Sequence, residues 1–138
     1  MKQQAQAKKY LQLLKAAKVA KRFSYSPYSK FRVGAALLTE DGKIISGCNI
    51  ENSSFSLTIC AERTAIFKAV SEDRHSFKAI AVVADSDDYT SPCGACRQVL
   101  MDLAGDIDVI LTRNNGSYKV LKLSQLLPMA FNGKILLR

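Results

Sequence analysis

Short apolar runs alternate with segments of helical periodicity along most of this chain, and the alternation limits the fold more than any other feature. Two apolar runs, Arg32 to Thr39 and Lys43 to Ile50, flank a central Asp41-Gly42 pair. Asp-Gly between two such runs is typical of a tight antiparallel turn, because glycine adopts positive φ at little cost. The sequence therefore predicts a β-hairpin in its first half.

Helices and strands surround this hairpin. A first helix is expected from about Gln3 to Arg22, because Tyr10, Leu13 and Ala17 recur at three- and four-residue spacing. The remaining predicted elements are helices at Cys60 to Glu72, Cys93 to Ala104 and near Ser124, and strands at Phe77 to Asp85, Asp108 to Thr112 and Tyr118 to Lys122. This order predicts an α/β fold of three layers, helix-sheet-helix, with a mixed and roughly five-stranded sheet. Residues 1–138 are expected to form a single domain.

Composition favours a cytoplasmic protein and leaves the meaning of its charge open. The most apolar early stretch, Leu11 to Ala20, contains Lys15 and Lys18, so it is not expected to cross a membrane or to act as a signal peptide. The net charge is +8, and residues 1–39 contain no acidic residue. A lysine-rich helix face in contact with water explains this charge, and nucleic-acid binding is the less favoured alternative.

The four cysteines suggest a metal site, since disulfides are rare in a reducing compartment. Cys93 and Cys96 open a predicted helix after Pro92, which places both sulfurs on one face of its first turn. Cys60 stands at a second predicted helix start, where the helix N-terminus likewise favours the thiolate. Three such ligands leave the fourth position of zinc open for water, as in catalytic sites. A thiol redox pair is the competing interpretation of Cys93 and Cys96, and Cys48 is interpreted as a packing residue.

Proton transfer at such a site needs a carboxylate. The single histidine, His75, follows a charged stretch in a predicted surface loop and is not expected to be a ligand or a base. Glu62, two residues after Cys60, is the best-placed proton carrier. The alternative is an exposed glutamate that pairs with Arg63 or Lys68.

Several longer motifs resemble the short cytidine deaminases of pyrimidine salvage. The resemblance covers nearly the whole chain and is carried by Tyr25-Ser26-Pro27-Tyr28-Ser29-Lys30-Phe31, Val33-Gly34-Ala35-Ala36, Gly47-Cys48-Asn49-Ile50-Glu51-Asn52, Cys60-Ala61-Glu62-Arg63-Thr64-Ala65 and Ser91-Pro92-Cys93-Gly94-Ala95-Cys96-Arg97-Gln98-Val99. It implies one Zn²⁺ per subunit and hydrolytic deamination of cytidine and 2′-deoxycytidine, in which zinc-activated water attacks C4 and Glu62 moves the protons. A deaminase of bases in RNA or single-stranded DNA and a structural zinc clip are the alternative functions.

The resemblance also implies roles for residues around the metal. Arg63 is expected to donate to ligand sulfurs, and substrate contacts are expected at Phe31, Asn49, Glu51, Phe55, Ala61 and Phe131. Asn49 and Glu51 would hold the ribose hydroxyls, while hydrophobicity alone would place Phe31 and Phe131 in the core. Many relatives have tyrosine in place of Phe55, so a hydroxyl contact there is absent in this chain. A homotetramer is expected, with no membrane partner.

Overall fold

Residues 1–137 are described by a computed structural model, in which a five-stranded mixed sheet lies between helices. The strands are β1 (Val33–Thr39), β2 (Ile44–Cys48), β3 (Phe77–Ala84), β4 (Asp108–Thr112) and β5 (Tyr118–Lys122), and their order in the sheet is β2-β1-β3-β4-β5. The helices are α1 (Lys2–Lys21), α2 (Ala61–Ser71), α3 (Gly94–Ala104) and α4 (Leu123–Leu126). Short 3₁₀ turns lie at Phe55–Leu57 and Gly133–Ile135. Among the five strands of residues 1–137, β3 and β4 pair in parallel and the other neighbours pair antiparallel, so the predicted mixed α/β sheet is confirmed.

The hairpin is shorter at its second strand than the sequence predicts. β2 ends at Cys48, whereas the apolar run continues to Ile50. The chain leaves the hairpin at this point, and Ile50 pairs with Ile59 in an isolated antiparallel bridge. At the turn, Gly42 has φ 89°, the left-handed conformation that the Asp-Gly signal predicts.

Side chains alternate along β1 between two separate cores. Ala36 and Leu38 pack with α1, which buries Tyr10, Leu13 and Ala17 as its periodicity predicts. Ala35 and Leu37 face the opposite layer, where α2, α3 and α4 pack on the sheet. Because α2 and α3 lie on the same face, the two helix starts that carry cysteines are on one side of the sheet.

Gly47 fixes how closely α2 approaches the sheet. A Cβ atom at this position would lie 2.6 Å from the backbone nitrogen of Ala65 and 2.8 Å from the carbonyl oxygen of Ala61. Both atoms belong to the first turns of α2 and cannot rotate away. The absence of a side chain on β2 therefore sets the position of the helix that follows Cys60.

We expect Gly47→Ala to push α2 away from the sheet and to lower the free energy of unfolding by about 1–3 kcal/mol. Metal release should also become faster, because Cys60 moves with α2. Gly34→Ala is the matched control, since its Cβ would lie 2.0 Å from the carbonyl oxygen of Ala17 on α1. Urea unfolding should show losses for both variants, but only Gly47→Ala should change metal release. A wild-type release rate in Gly47→Ala would contradict the prediction.

No helix within residues 1–137 is both long enough and apolar enough to cross a bilayer.

Candidate active site

Three sulfur atoms meet where α2 and α3 begin. Sγ of Cys93 lies 3.7 Å from Sγ of Cys60 and 3.5 Å from Sγ of Cys96, and all three sulfurs lie within 4.8 Å of one another. A tetrahedral zinc ion with Zn–S bonds near 2.3 Å separates its sulfur ligands by about 3.8 Å. The cluster therefore fits zinc in both donor type and spacing, as the sequence predicts. Cys96 is buried and Cys93 is exposed, so the cluster opens to solvent on the Cys93 side.

The local fold brings each cysteine to a helix start. Cys60 and Cys93 are the N-cap residues of α2 and α3, and neither side chain caps its own helix. Both sulfurs are therefore available to another partner. The bridge between Ile50 and Ile59 ties the segment before Cys60 to the chain that leaves β2. Cys93 follows β3 by way of the loop at residues 85–92, so two connections from the sheet deliver the ligands.

Arg63 gives the sulfur cluster a positive neighbour, the position that the family resemblance implies for it. Its Nη2 donates to Sγ of Cys60 at 3.3 Å, and its Nε is buried with no hydrogen-bond partner among residues 1–137. The neighbouring Cys96 thiol and the Arg63 guanidinium lower the pKa of Cys60 to about 5. The interaction with Cys60, together with burial, raises the pKa of Cys96 well above that of an ordinary thiol. Zinc bound by these sulfurs would supply the positive charge that favours the thiolate form of its ligands.

Glu62 is buried in the first turn of α2, with only 4% of its surface exposed. The exposed salt-bridge alternative is therefore wrong for this residue. Burial is the main cause that raises the pKa of Glu62 to about 7, and the nearby Cys60 contributes in the same direction. A carboxyl group with such a pKa exchanges protons readily near neutral pH.

Asn49 organises the chain before β1. Its side-chain oxygen accepts a hydrogen bond from the backbone nitrogen of Val33 at 3.0 Å and another from the hydroxyl of Ser24. Its amide nitrogen donates to the carbonyl oxygen of Phe31 at 2.8 Å. The predicted substrate residues Asn49 and Phe31 are therefore in direct contact, and Phe31 is 38% exposed rather than in the core. Their contact with substrate stays a prediction.

Glu51 organises the neighbouring loop in the same way. Its carboxylate accepts hydrogen bonds from the backbone nitrogens of Tyr28 at 3.0 Å and Ser29 at 3.1 Å, and from the Ser29 hydroxyl. The Ser29 hydroxyl is the main cause that lowers the pKa of Glu51, so this residue is charged at neutral pH. The ring of Tyr28 meets the ring of Phe55 edge to face, with centroids 5.7 Å apart. Phe55 is therefore connected to the Glu51 loop, although it is 72% exposed.

Ala61 and Phe131 complete the predicted substrate set. The side chain of Ala61 is fully buried, so a contact with substrate would use its backbone nitrogen, which lies in the first turn of α2, where N–H groups have no partner within the helix. Phe131 is 56% exposed, not in the core, and its carbonyl oxygen accepts a hydrogen bond from Nε2 of Gln98 at 3.0 Å. That bond attaches the C-terminal segment to α3. Both substrate roles stay predictions.

Cys48 and His75 both lie away from the metal cluster. Cys48 lies outside the sulfur cluster, partly buried, and its Sγ donates to the carbonyl oxygen of Phe23 at 3.3 Å. His75 is exposed beside Asp73, with 3.1 Å between Nε2 and a carboxylate oxygen, so its predicted surface position is confirmed.

Arg97 is a functional residue to which the sequence motifs give no role. Its side chain makes two hydrogen bonds to the residues that precede Cys93 and a third to Leu126. A signal was available, because a cation near a helix N-terminus opposes the helix dipole and needs specific partners. Gln98, Ser24 and Ser29 also have no role that the sequence motifs indicate. Their hydrogen bonds to Phe131, Asn49 and Glu51 are seen only in the folded chain.

The fold and the metal-binding site together indicate a zinc-dependent deaminase domain, and comparison with known proteins supports this class. Residues 6–112 match the cytidine and deoxycytidylate deaminase zinc-binding region. The chain belongs to this family, and zinc is its cofactor. The matched range includes the three cysteines and Glu62 but not Phe131.

Similar proteins match along most of the chain. A cytidine deaminase of Sporosarcina psychrophila is 55% identical over 121 residues, which cover 87% of this chain and 89% of the relative. A cytidine deaminase of Halalkalibacterium halodurans is 52% identical over 123 residues, covering 88% and 93%. The crystal structure of cytidine deaminase from Burkholderia pseudomallei aligns with a TM-score of 0.84 at 48% identity, covering 86% of this chain and 96% of that one. The resemblance that the motifs indicate is thus confirmed.

Proposed function

We propose that this protein catalyses the hydrolytic deamination of cytidine and 2′-deoxycytidine to uridine and 2′-deoxyuridine, with release of ammonia. The observation that carries the proposal is the juxtaposition of three sulfurs at zinc spacing with a buried glutamate in the adjoining helix turn. The relatives at more than half identity are named cytidine deaminases, which supports the same reaction. A thiol redox pair would have no use for Glu62 or for a third sulfur.

The proposed chemical roles of zinc and Glu62 follow from their positions. Zinc held by Cys60, Cys93 and Cys96 would lower the pKa of water and so supply a nucleophile for C4 of cytosine near neutral pH. Glu62 accepts one proton from the water and delivers it to N3, then accepts the second proton from the new C4 hydroxyl and delivers it to the departing amine. One water is consumed and one ammonia leaves, so the proton count balances with Glu62 returned to its starting state. Burial favours this shuttle, because it excludes competing proton exchange with bulk solvent.

Arg63 is proposed to offset the charge of the metal centre. Three thiolates on Zn²⁺ carry a formal charge of −1, which opposes the acidification of water. We expect Arg63→Ala to weaken zinc affinity or to lower kcat by about 10–100-fold, as for other residues that bond to metal ligands. Arg74→Ala is the control, because Nη1 of Arg74 lies 3.7 Å from Asp41 in a loose surface ion pair. Zinc titration and steady-state rates that match the control would remove Arg63 from this role.

The proposed nucleoside pocket uses Phe31, Asn49, Glu51, Phe55, Ala61 and Phe131. The charged Glu51 carboxylate would accept hydrogen bonds from ribose hydroxyls and repel a phosphate group. The substrate is therefore proposed to be a free nucleoside rather than a nucleotide. Comparable turnover of cytidine and cytidine monophosphate would reject this part of the proposal.

A homotetramer is proposed as the active form. Large apolar side chains are exposed near the predicted pocket, including Tyr25, Tyr28, Ile50, Phe55 and Leu57. The rings of Tyr28 and Phe55 meet edge to face, and the backbones of Tyr25 and Ile50 pair in an isolated bridge. Association of subunits would remove this area from water. Sedimentation velocity with and without a Phe55→Asp substitution tests the proposal, since a monomeric wild-type protein would reject it.

The enzyme is further proposed to act in pyrimidine salvage in the cytoplasm, as a domain that spans residues 1–138. The four cysteines are free, and the metal cluster needs its thiols reduced. No membrane partner and no nucleic-acid partner are proposed.

The decisive test is an absorbance assay of purified, zinc-loaded protein with cytidine, 2′-deoxycytidine, cytidine monophosphate, adenosine and blasticidin S. We expect turnover of the two nucleosides, and a strong chelator should abolish it. Turnover of blasticidin S alone would overturn the substrate assignment. Salt-sensitive binding and deamination of single-stranded DNA or RNA would instead favour the polynucleotide alternative.

A further inference from the structure

Arg97 connects three segments of the chain beside the metal cluster. It follows Cys96 on α3, and its guanidinium turns back toward the helix start. Nε donates to the carbonyl oxygen of Pro92 at 2.8 Å, Nη2 to the hydroxyl of Ser91 at 2.8 Å, and Nη1 to the carbonyl oxygen of Leu126 at 2.6 Å. The planar guanidinium holds its donors in a rigid fork, so these three bonds fix the relative positions of their acceptors.

The bond to Pro92 acts on the orientation of Cys93. The carbonyl of Pro92 belongs to the peptide unit that enters Cys93, and Pro92 is fully buried. When this peptide plane is fixed, the direction in which Cβ of Cys93 leaves the backbone is restricted. Cys93 makes no cap bond to its own helix. Within residues 1–137, the only hydrogen-bond contacts of its Sγ are with the sulfurs of Cys60 and Cys96. The bond from Arg97 to Pro92 therefore restrains the orientation of Cys93, which has no cap bond to do so.

The bond to Leu126 acts on the C-terminal segment. Leu126 is the last residue of α4, and the chain continues from there to Phe131. Gln98, next to Arg97, donates to the carbonyl oxygen of Phe131 at 3.0 Å. Two consecutive residues of α3 thus hold both ends of residues 126–131.

We propose that Arg97 is a positioning residue that orients Cys93 and, through Leu126, the segment that presents Phe131. Gln98 acts on the segment but not on Cys93, because Gln98 bonds to Phe131 whereas the Pro92 carbonyl is bonded by Arg97. The part of this proposal that concerns Phe131 rests on the proposed nucleoside pocket, whereas the part that concerns Cys93 does not. Lysine cannot replace Arg97, since one ammonium group cannot span three acceptors in different directions.

The test compares Arg97→Lys, Gln98→Ala and the control Arg74→Lys in the full chain. Four quantities are measured: zinc transfer to a chromogenic chelator, the visible spectrum of the cobalt-substituted protein, amide hydrogen exchange of residues 126–137, and kcat and KM for cytidine. Arg97→Lys should accelerate zinc transfer by about 10–100-fold, alter the cobalt spectrum and accelerate exchange. Gln98→Ala should accelerate exchange and raise KM, with zinc transfer and the cobalt spectrum unchanged. Arg74→Lys should match the wild type.

Wild-type zinc transfer and a wild-type cobalt spectrum in Arg97→Lys would overturn the proposal. Equal acceleration of zinc transfer in Arg97→Lys and Gln98→Ala would also overturn it, because that result means general loosening of α3. If Arg97→Lys does not fold, Arg97→Gln is measured in its place, since its neutral amide retains one of the donors. A wild-type protein without cytidine turnover would reject the proposed function, while the zinc, cobalt and exchange measurements would still decide the role of Arg97.

Discussion

Replacement of Glu62 by glutamine is expected to lower kcat for cytidine by about 10²–10⁴-fold, the usual contribution of a positioned acid-base group. Glutamine has nearly the same shape and fits the buried position, but its amide cannot accept and return a proton. Zinc content should remain at the wild-type level, because Glu62 is not one of the three clustered ligands. Rates and metal content measured on the same sample check both expectations.

Glu72→Gln provides the matched control for Glu62→Gln. Glu72 is the exposed C-terminal cap of the same helix, so its charge is removed without any change at the metal cluster. Its rate should equal that of the wild type. A Glu62→Gln enzyme with more than a tenth of wild-type activity would rule out Glu62 as the proton carrier.

Loss of one sulfur ligand should have an equally large effect. In Cys96→Ser the hydroxyl fits the fully buried site, but it is a far weaker ligand for zinc than a thiolate. We expect zinc to be lost on dialysis against a weak chelator and deamination to fall below detection. Cobalt should no longer give thiolate charge-transfer absorption of wild-type intensity.

Cys48→Ser separates metal binding from the general effect of removing a thiol. Cys48 is also a free cysteine, yet it lies outside the sulfur cluster and bonds to a backbone carbonyl. This variant should retain zinc and activity. Full zinc retention by Cys96→Ser, or zinc loss by Cys48→Ser, would show that the cluster is assigned wrongly.

Local patterns in the sequence predict most of the fold, because each element carries its own signal. The periodicity of Tyr10, Leu13 and Ala17 predicts α1, and the Asp-Gly pair predicts the turn at Gly42. The early end of β2 was missed, since Ile50 is apolar but pairs with Ile59 outside the sheet. Hydrophobicity reports burial, and it does not report which partner a strand residue takes.

The metal ligands were predictable for a similar reason. Cys60, Cys93 and Cys96 stand at helix starts, and both helices pack on the same face of the sheet. The bonds from Arg97 to Leu126 and from Asn49 to Phe31 were not predictable, because these acceptors are backbone carbonyls 29 and 18 residues away in sequence. A carbonyl group is present at every residue, so no sequence pattern marks the one that is used.

The hydrogen bonds of Asn49 limit what mutagenesis of the nucleoside pocket can reveal. The same amide that is expected to meet ribose already holds Phe31 and Val33. An Asn49→Ala variant would therefore lose affinity for cytidine even if Asn49 never touched the sugar, since the displaced Phe31 would produce the same rise in KM. The structural role of Asn49 and its expected contact with ribose can be separated only by changing the substrate. The measurement compares the KM of the wild-type protein for nucleosides that each lack one ribose hydroxyl.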